Sequence, residues 1–260
     1  VLMVGKSIAT FGNMLFFPIN HLEGHALSPS IENKISFPYL LLLVSGGHSQ
    51  FLIVKGVNNY KQIGTTIDDA VGEAFDKTSK ILNLGYPGGP NVEKFSRLGN
   101  KNSFILPLPI INRAGCNLSL AGLKTDVLRK SKNIKSKKER YDLASSFQET
   151  VNKILRKKTE VAMKQFRDET NDKSMKSFVI AGGVAANKTI RESLKEISNK
   201  MNFKHIFPSK EFCGDNAAMI AWAGIQRYRK KLFERKKEIV HSRWPLDPNA
   251  PFLKGPGLKL

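Results

Sequence analysis

The apolar residues of this chain alternate between short continuous runs, which predict buried strands, and runs with a helical period. In the segment "PYLLLLVSGGHSQFLIVKG", apolar residues at 39–44 and 51–54 flank a Gly-Gly pair, which predicts a hairpin of two buried strands. The segment "SFVIAGGVAANKTIRESL" predicts a strand, a Gly-Gly turn and a helix. Strands that alternate with helices in this way predict an α/β fold.

The helical pattern is clearest over residues 141–166, where it predicts a long amphipathic helix. Thr66 precedes a helical pattern over 67–75 and is predicted to cap that helix. The segment "CGDNAAMIAWAGIQRY" starts a helix that is apolar nearly all round, which predicts that it is buried. The glycines and prolines of "GYPGGPNVE" predict a turn or loop, and those of "WPLDPNAPFLKGPGLKL" predict a loose tail.

The length and the cysteine content narrow the class of protein. A chain of 260 residues suffices for one large domain or two lobes. Cys116 and Cys213 lie far apart and outside any CxxC pair, which favours a reducing cytosol over a disulfide framework. The longest aliphatic run, 40–44, is too short to span a bilayer. The first residues, "VLMVGKSIATFG", are typical of a helix interior and not of a signal peptide, so we expect the sequence to begin inside a longer protein.

Basic residues outnumber acidic ones by 42 to 22, which gives a net charge of +20. The excess is concentrated in "RKSKNIKSKKER" at 129–140, "KILRKK" at 153–158 and "RYRKKLFERKK" at 227–237. Such clusters are typical of proteins that bind the phosphate backbone of a nucleic acid. A solvated lysine-rich surface explains the charge equally well, so charge alone leaves both interpretations open.

The segment "NHLEGHAL" places His21 and His25 four residues apart, on one face if the segment is helical. Two imidazoles with this spacing can bind one metal ion, as in the HExxH zinc proteases. Glu23, however, would project about 200° round the helix from His21, where it cannot act as the general base of a protease. The alternative is a pair of ordinary histidines.

Asp215, in "FCGDNAAM", is the candidate for a third ligand. Two imidazoles and one carboxylate leave coordination positions open and suit Fe(II) or Zn(II). An aspartate just before an apolar helix is also a typical N-cap, and a carboxylate can serve both roles.

Glycine-rich turns recur in "VSGGHS" at 44–49, in "GYPGGP" and in "AGGVAANK" at 181–188. Turns without side chains let backbone N–H groups approach a phosphate, so together they predict nucleotide binding between two lobes, although each alone is more often a mere turn. The helix "TTIDDAVGEAFDK" places Asp69, Glu73 and Asp76 on one face. We expect a solvated acidic face for the first two and a contact with ribose hydroxyls for Asp76.

These segments occur in one order along the chain: "NHLEGHAL", "LLVSGGHSQF", "IDDAVGEAFDK", "GYPGGP", "LSLAGLKTDV", "AGGVAANKTIR" and "CGDNAAMIAWAG". As a set they closely resemble the tRNA N6-adenosine threonylcarbamoyltransferase family, once described as O-sialoglycoprotein endopeptidases. The resemblance implies the two-lobed α/β fold of the actin-like, sugar-kinase and Hsp70 class. It also implies transfer of the threonylcarbamoyl group from threonylcarbamoyl-adenylate to N6 of adenosine 37, in tRNAs that read codons starting with A.

The resemblance also implies roles for individual residues. The metal ligands would be His21, His25 and Asp215, which would hold one divalent ion per subunit, Fe2+ in preference to Zn2+. The substrate-binding positions would be Val44, Ser45, Gly46, Gly47, His48, Asp76, Gly89 and Asn187. Glu93 falls where many relatives hold an acidic ribose contact. We expect no covalent nucleophile.

Members of the family carry a segment before the equivalent of Val1, so the first lobe is expected to be incomplete here. The implied divisions are a remnant of the N-terminal lobe at 1–36, a nucleotide-binding lobe at 37–214, a returning helix at 215–240 and a tail at 241–260. The implied partners are the tRNA anticodon loop, threonylcarbamoyl-adenylate, an inactive paralogue and a small ATPase. The implied location is the bacterial cytoplasm or an organelle of bacterial descent, and no membrane is expected to take part.

Two rival functions remain at the level of sequence. One is a metalloprotease, against which the position of Glu23 argues. The other is an inactive subunit that binds nucleotide or tRNA, which an incomplete first lobe leaves open.

Overall fold

The computed structural model of the protein describes residues 2–172, 174–232 and 244–251. The helices are α1 (Leu2–Phe11), α2 (His21–Leu27), α3 (Pro29–Glu32), α4 (Val71–Ile81), α5 (Gly88–Ser96), α6 (Ala121–Ser131), α7 (Lys137–Thr170), α8 (Lys188–Lys200), α9 (Lys210–Cys213) and α10 (Ala217–Arg229). A 3-10 turn covers Gly183–Ala186. The strands are β1 (Tyr39–Val44), β2 (Ser49–Gly56), β3 (Asn59–Thr65), β4 (Lys176–Ala181) and β5 (Phe203–Ile206). Within these ranges, no helix combines the length and apolar character that crossing a bilayer requires.

The strands form one mixed sheet in the order β3-β2-β1-β4-β5. Strands β1, β2 and β3 form an antiparallel meander. At the hairpin between β1 and β2, Val44 lies opposite Ser49. Strands β4 and β5 extend the sheet in parallel on the other side of β1, with Leu42 opposite Ile180. The turns after β1 and β4 therefore lie at the same edge of the sheet, because parallel strands end together.

Both faces of the sheet are buried, which explains why β1 is an unbroken aliphatic run. Leu40, Leu42 and Val44 enter the larger core, which α4 to α8 cover. Tyr39, Leu41 and Leu43 enter a smaller core on the opposite face, which includes residues of α2. Helix α10 packs against α2 on this second side.

Three predicted elements are confirmed. The hairpin of β1 and β2 forms with the Gly-Gly pair in its turn. The predicted strand, turn and helix over 177–194 appear as β4, the 3-10 turn and α8. The amphipathic helix is α7, which is longer than predicted because Ser136 caps it and accepts from the N–H of Glu139.

Two predicted element boundaries are wrong. Helix α4 begins at Val71 and not after Thr66, because Thr66 is held in a bridge to Leu118 and donates its hydroxyl hydrogen bond to the carbonyl of Asp69. Residues from Gly88 onwards in "GYPGGPNVE" form the first turns of α5 and not a loop. Strands β3 and β5 carry too few apolar residues to have been predicted.

Helix α10 is not buried all round as predicted, since Met219 and Ala223 are its buried residues and α2 covers only one side of it. The tail is not loose where it is described: Leu246 is buried, and Asp247 accepts a hydrogen bond of 2.8 Å from the N–H of Gln62. The predicted helix beyond 232 and the tail beyond 251 lie outside the described residues. The division into lobes stays a prediction.

Candidate metal centre and nucleotide cleft

Helix α2 brings the two histidines of "NHLEGHAL" together. It begins at His21 because the side chain of Asn20 accepts a hydrogen bond of 2.9 Å from the N–H of Leu22. One helical turn separates the imidazoles of His21 and His25, whose ring centroids lie 4.9 Å apart with perpendicular planes. The expectation that a helix places both histidines on one face is therefore confirmed.

Asp215 joins the histidines from the other end of the chain. Its Oδ1 lies 2.9 Å from Nε2 of His25 and 3.3 Å from Nε2 of His21. The alternative N-cap role for Asp215 is wrong, because Asn216 caps α10 by accepting from the N–H of Met219. Helix α10 can approach α2 closely because residue 24 of α2 is a glycine. A Cβ at this position would lie only 2.9 Å from Cδ1 of Ile220 on α10.

These three residues fit a divalent metal ion. Ligand atoms about 2.1 Å from one ion are separated by about 3.0–3.4 Å in octahedral and tetrahedral sites, and the two distances from Oδ1 of Asp215 to the histidine nitrogens are close to these values. The side chains of His21 and Asp215 are 51% and 73% exposed, so the cluster is open to solvent on one side. Two nitrogen donors and one oxygen donor, all within 4.8 Å of one another, suit Fe(II) or Zn(II).

The charge state of His25 also favours metal binding. Burial, and then the neighbouring His21, lowers the pKa of His25 by more than the contact with Asp215 raises it. The imidazole is therefore uncharged near neutral pH, which is the form with a free lone pair for a metal.

Glu23 has a different environment on the same helix. It is fully buried, its Oε1 accepts hydrogen bonds from the hydroxyl of Tyr60 and the N–H of Asn58, and its Oε2 pairs with Arg227 at 2.5 Å. The carboxylate raises the pKa of Tyr60 further after burial has raised it. Glu23 is thus a structural anchor and cannot serve as the general base of a protease.

A cleft of about 360 Å³ lies beside the hairpin turn, between the start of α4, the start of α5 and the 3-10 turn. Four of the predicted substrate positions line it, together with Glu93: Gly46, Asp76, Gly89 and Asn187. The structure therefore brings together Gly46 and Asn187, which are 141 positions apart in the sequence.

The remaining predicted substrate positions do not line the cleft. Val44 is fully buried in the core, so only its backbone is available. Ser45 closes the turn, since its N–H donates to the carbonyl of His48 and its Oγ accepts from the N–H of His48. Burial, and then the charges of His21 and His25, lowers the pKa of His48, so the three imidazoles interact electrostatically.

The polar side chains of the cleft are already partly engaged. Asp76 accepts a hydrogen bond of 2.9 Å from the N–H of Gly88 through Oδ1, and Glu93 accepts one of 3.0 Å from the N–H of Lys188 through Oε1. Each keeps a second carboxylate oxygen. Asn187 caps α8 and donates to Gln148, so it has one N–H left for a ligand.

The predicted solvated acidic face is wrong for Asp69. This carboxylate is buried before the start of α4 and pairs with Lys77 at 2.9 Å and Lys124 at 2.8 Å. Burial tends to raise its pKa, but the hydrogen bonds from Lys124 and Lys77 outweigh burial and lower the pKa below 3.8. Glu73 is half-buried and also pairs with Lys77.

The glycines near the cleft fall into two kinds. At Gly72, Gly88 and Gly182, an added Cβ would come within 2.3–2.6 Å of neighbouring backbone, so the fold itself requires glycine there. At Gly46, Gly89 and Gly183, an added Cβ would have no neighbour within 4 Å. The fold does not require glycine at these three positions, and all three line the cleft, where a side chain would occupy part of the open volume.

Comparison with known proteins identifies the family. Residues 1–222 match the family model described as tRNA N6-adenosine threonylcarbamoyltransferase. The chain belongs to this family. A threonylcarbamoyltransferase of Pelagibacter ubique is 52% identical over 259 residues, which cover 100% of this chain and 72% of that protein. Proteins with the same name from Rickettsia massiliae and Zymomonas mobilis are 47% and 46% identical, covering 94% and 99% of this chain and 72% and 70% of the relatives.

The solved structures that resemble this threonylcarbamoyltransferase family member support the fold. HypF of T. kodakarensis superposes with a TM-score of 0.58 at 13% identity, covering 88% of this chain and 39% of HypF. Full-length HypF in a phosphate- and nucleotide-bound form gives a TM-score of 0.60 at 12% identity, covering 87% and 38%. The expected α/β fold of the actin-like, sugar-kinase and Hsp70 class is therefore confirmed.

Sequence reasoning missed one charged residue of the cleft. Lys210 lines it at the start of α9, yet in the sequence it is one of many lysines. The only available signal was its position five residues before Asp215.

Proposed function

We propose that this chain transfers the threonylcarbamoyl group of threonylcarbamoyl-adenylate to N6 of adenosine 37 in tRNAs that read codons starting with A. The observation that carries the proposal is the position of the turn at 45–48. Helix α2, which carries His21 and His25, packs against β1, and β1 leads directly into this turn, whose Gly46 lines the cleft. The proposed metal centre and the proposed nucleotide cleft would thus share one glycine turn.

In the proposed reaction, N6 of adenosine forms a bond to the carbamoyl carbonyl carbon. The bond between that carbon and the phosphate oxygen breaks, the electron pair leaves with AMP, and N6 loses a proton to the solvent. Because the adenine amine is a weak nucleophile, holding it against the activated carbonyl supplies much of the rate. This reaction uses no covalent nucleophile from the protein, as the sequence leads us to expect.

We assign the adenylate to the cleft and a divalent ion to the cluster. The free carboxylate oxygens of Asp76 and Glu93 would accept hydrogen bonds from ribose hydroxyls, and the remaining N–H of Asn187 would donate to the adenosine. Gly46 and Gly89 would leave room for the ligand. A bound ion, which we propose to be Fe2+ with Zn2+ as the alternative, would act as a Lewis acid on a carbonyl or phosphate oxygen.

The basic surface would bind the anticodon arm. Three exposed lysines lie between the end of α6 and the first residue of α7: Lys132, Lys135 and Lys137. Within the described parts of the chain, none of them forms an ion pair. Unpaired lysines of this kind release counterions when they contact phosphates. We propose that the reaction takes place in the bacterial cytoplasm, with an inactive paralogue and a small ATPase as protein partners.

The test is complementation of bacterial cells that lack their own enzyme, in which threonylcarbamoyl-adenosine in tRNA is measured by mass spectrometry. We expect the wild-type protein, expressed with its partners, to restore the modified base and His25→Ala to fail. His205→Ala is the matched control, because His205 lies on β5 and is not part of the cluster. Absence of the modified base with a stably expressed wild-type protein would contradict the proposal, and so would full activity of His25→Ala.

A further inference from the structure

The cleft contains one positively charged side chain among its described lining residues. Lys210 lines it together with glycines, prolines, apolar residues, Asn187 and the carboxylates of Asp76 and Glu93. Lys210 is exposed, and among the described residues it forms no hydrogen bond or ion pair through its ammonium group. Lys77, by contrast, is neutralised by Asp69 and Glu73.

The backbone around Lys210 is held firmly even though its side chain is free. The guanidinium of Arg191 donates to the carbonyl of Pro208 at 2.8 Å and to Sγ of Cys213 at 3.2 Å. The N–H of Ser209 donates to the carboxylate of Glu32 at 2.9 Å. These contacts lie on both sides of Lys210 and fix where its side chain begins.

The same cleft offers a further donor without an acceptor. In the turn at 45–48, the N–H groups of Ser45 and His48 are bonded within the turn. The N–H of Gly46, which lines the cleft, has no acceptor among the described residues. A free ammonium group and a free backbone N–H at one cleft are donors that bind a phosphate.

We propose that Lys210 binds the phosphate of threonylcarbamoyl-adenylate and of the AMP that leaves, an inference that rests on the proposed function. The carboxylate of Asp76 suits a ribose hydroxyl and would repel a phosphate, and Glu93, which is paired with Arg97 at 2.8 Å, offers a phosphate no donor. We therefore place the phosphate against Lys210. When the bond from the carbonyl carbon to the phosphate oxygen breaks, the electron pair stays on that oxygen. Lys210 then faces the additional negative charge of the leaving group.

The test compares AMP with adenosine, which differ only in the phosphate. Affinities of the wild-type protein, Lys210→Gln and Lys210→Arg for both ligands are measured by calorimetry. We expect Lys210→Gln to weaken AMP binding about tenfold, which is the loss of one charge-assisted hydrogen bond, and to leave adenosine binding unchanged. Lys210→Arg should recover part of the AMP affinity. Lys204→Gln is the matched control, since Lys204 is an exposed lysine on the edge strand β5.

The outcomes separate the two proposals. Equal effects of Lys210→Gln on AMP and adenosine, or no effect on either, would overturn the role of Lys210 while leaving the cleft as the adenylate site. A wild-type protein that binds neither ligand would overturn both the role of Lys210 and the proposed function. A second measurement adds to this: higher salt should weaken AMP binding more in the wild-type protein than in Lys210→Gln.

Discussion

Helix α2 has two polar regions that differ in how completely the protein satisfies them. On one face, His21 and His25 meet Asp215, and these side chains have one another as partners. On another face, Glu23 receives hydrogen bonds from Tyr60, Asn58 and Arg227. Helix α10 takes part in both regions, because Asp215 precedes it and Arg227 lies near its end.

The difference distinguishes a structural charge from a chemical one. Glu23 is fully buried, and both of its oxygens accept hydrogen bonds from protein donors, so the carboxylate is satisfied within the protein and shielded from solvent. Asp215 is 73% exposed and converges with two imidazoles on a point that is open to solvent. Residue type alone therefore does not indicate function in this helix pair.

Glu23→Ala should cause the largest loss of stability. It leaves the buried hydroxyl of Tyr60 without its acceptor and the partly buried guanidinium of Arg227 with only the side-chain oxygen of Asn58, which costs about 3 kcal/mol in the free energy of unfolding. Urea denaturation measures this loss, and metal analysis of the folded variant should show an unchanged metal content. Glu192→Ala, at an exposed position of α8, is the control and should change stability by less than about 0.5 kcal/mol. Loss of metal from a folded Glu23→Ala variant would erase the distinction between the two regions.

Asp215→Ala, in contrast to Glu23→Ala, should weaken metal binding and leave the stability nearly unchanged. Removal of a ligand should lower the affinity for Fe2+ or Zn2+ at least about hundredfold, which is about 2.7 kcal/mol. The free energy of unfolding without metal should change by less than about 0.5 kcal/mol, because the side chain is exposed and does not cap α10. Competition titration and urea denaturation measure the two quantities.

The neighbouring variant Asn216→Ala provides the control for Asp215→Ala. It removes the cap of α10 and should cost about 1 kcal/mol of stability with a much smaller effect on metal affinity. If both variants lost the same metal affinity, the effect of Asp215→Ala would be structural.

Gly182→Ala should destabilise the protein by about 2 kcal/mol. Gly182 has a φ of +96°, and an added Cβ would lie 2.3 Å from the carbonyl oxygen of Val44. Gly183→Ala, at the next residue, should change stability by less than about 0.5 kcal/mol because no atom lies within 4 Å of the added Cβ. Thermal or urea unfolding of the pair measures the contrast. Equal losses would mean that Gly183, like Gly182, is required by the fold.

Asp69→Asn should have the smallest effect, about 1 kcal/mol at pH 7, because its lysine partners are partly exposed. The folded state lowers the pKa of Asp69, so the carboxylate stabilises the protein above its ordinary pKa of 3.8. This stabilisation is lost as the pH falls through the lower folded-state pKa. The stability difference from the wild-type protein should therefore shrink below about pH 4.

Urea unfolding between pH 2 and 7 measures this dependence. Asp168→Asn, at an exposed position of α7, should show little difference from the wild-type protein at any pH. A stability difference for Asp69→Asn that stayed constant below pH 4 would argue against the ion pairs with Lys77 and Lys124.

Local pattern predicted much of the fold, because the period of apolar residues depends on near neighbours in the chain. It was sufficient for the β1–β2 hairpin, for α7 and for the helix that places His21 and His25 one turn apart. It failed for α10, where the composition indicated burial on all sides. The number of neighbours that cover a helix is a property of the packed protein and not of its own sequence.

The sequence by itself determined the elements with a strong apolar pattern, the donor types that are available and, through its motifs, the family that the chain resembles. The tertiary structure decided that α10 packs on α2, which brings Asp215 within 2.9 Å of a histidine 190 positions earlier. It also decided that Glu23 is satisfied, that Asp69 is buried and that Lys210 faces the cleft. The physical reason is that periodicity specifies which face of an element is buried, whereas the partner that covers this face is selected by packing between distant segments.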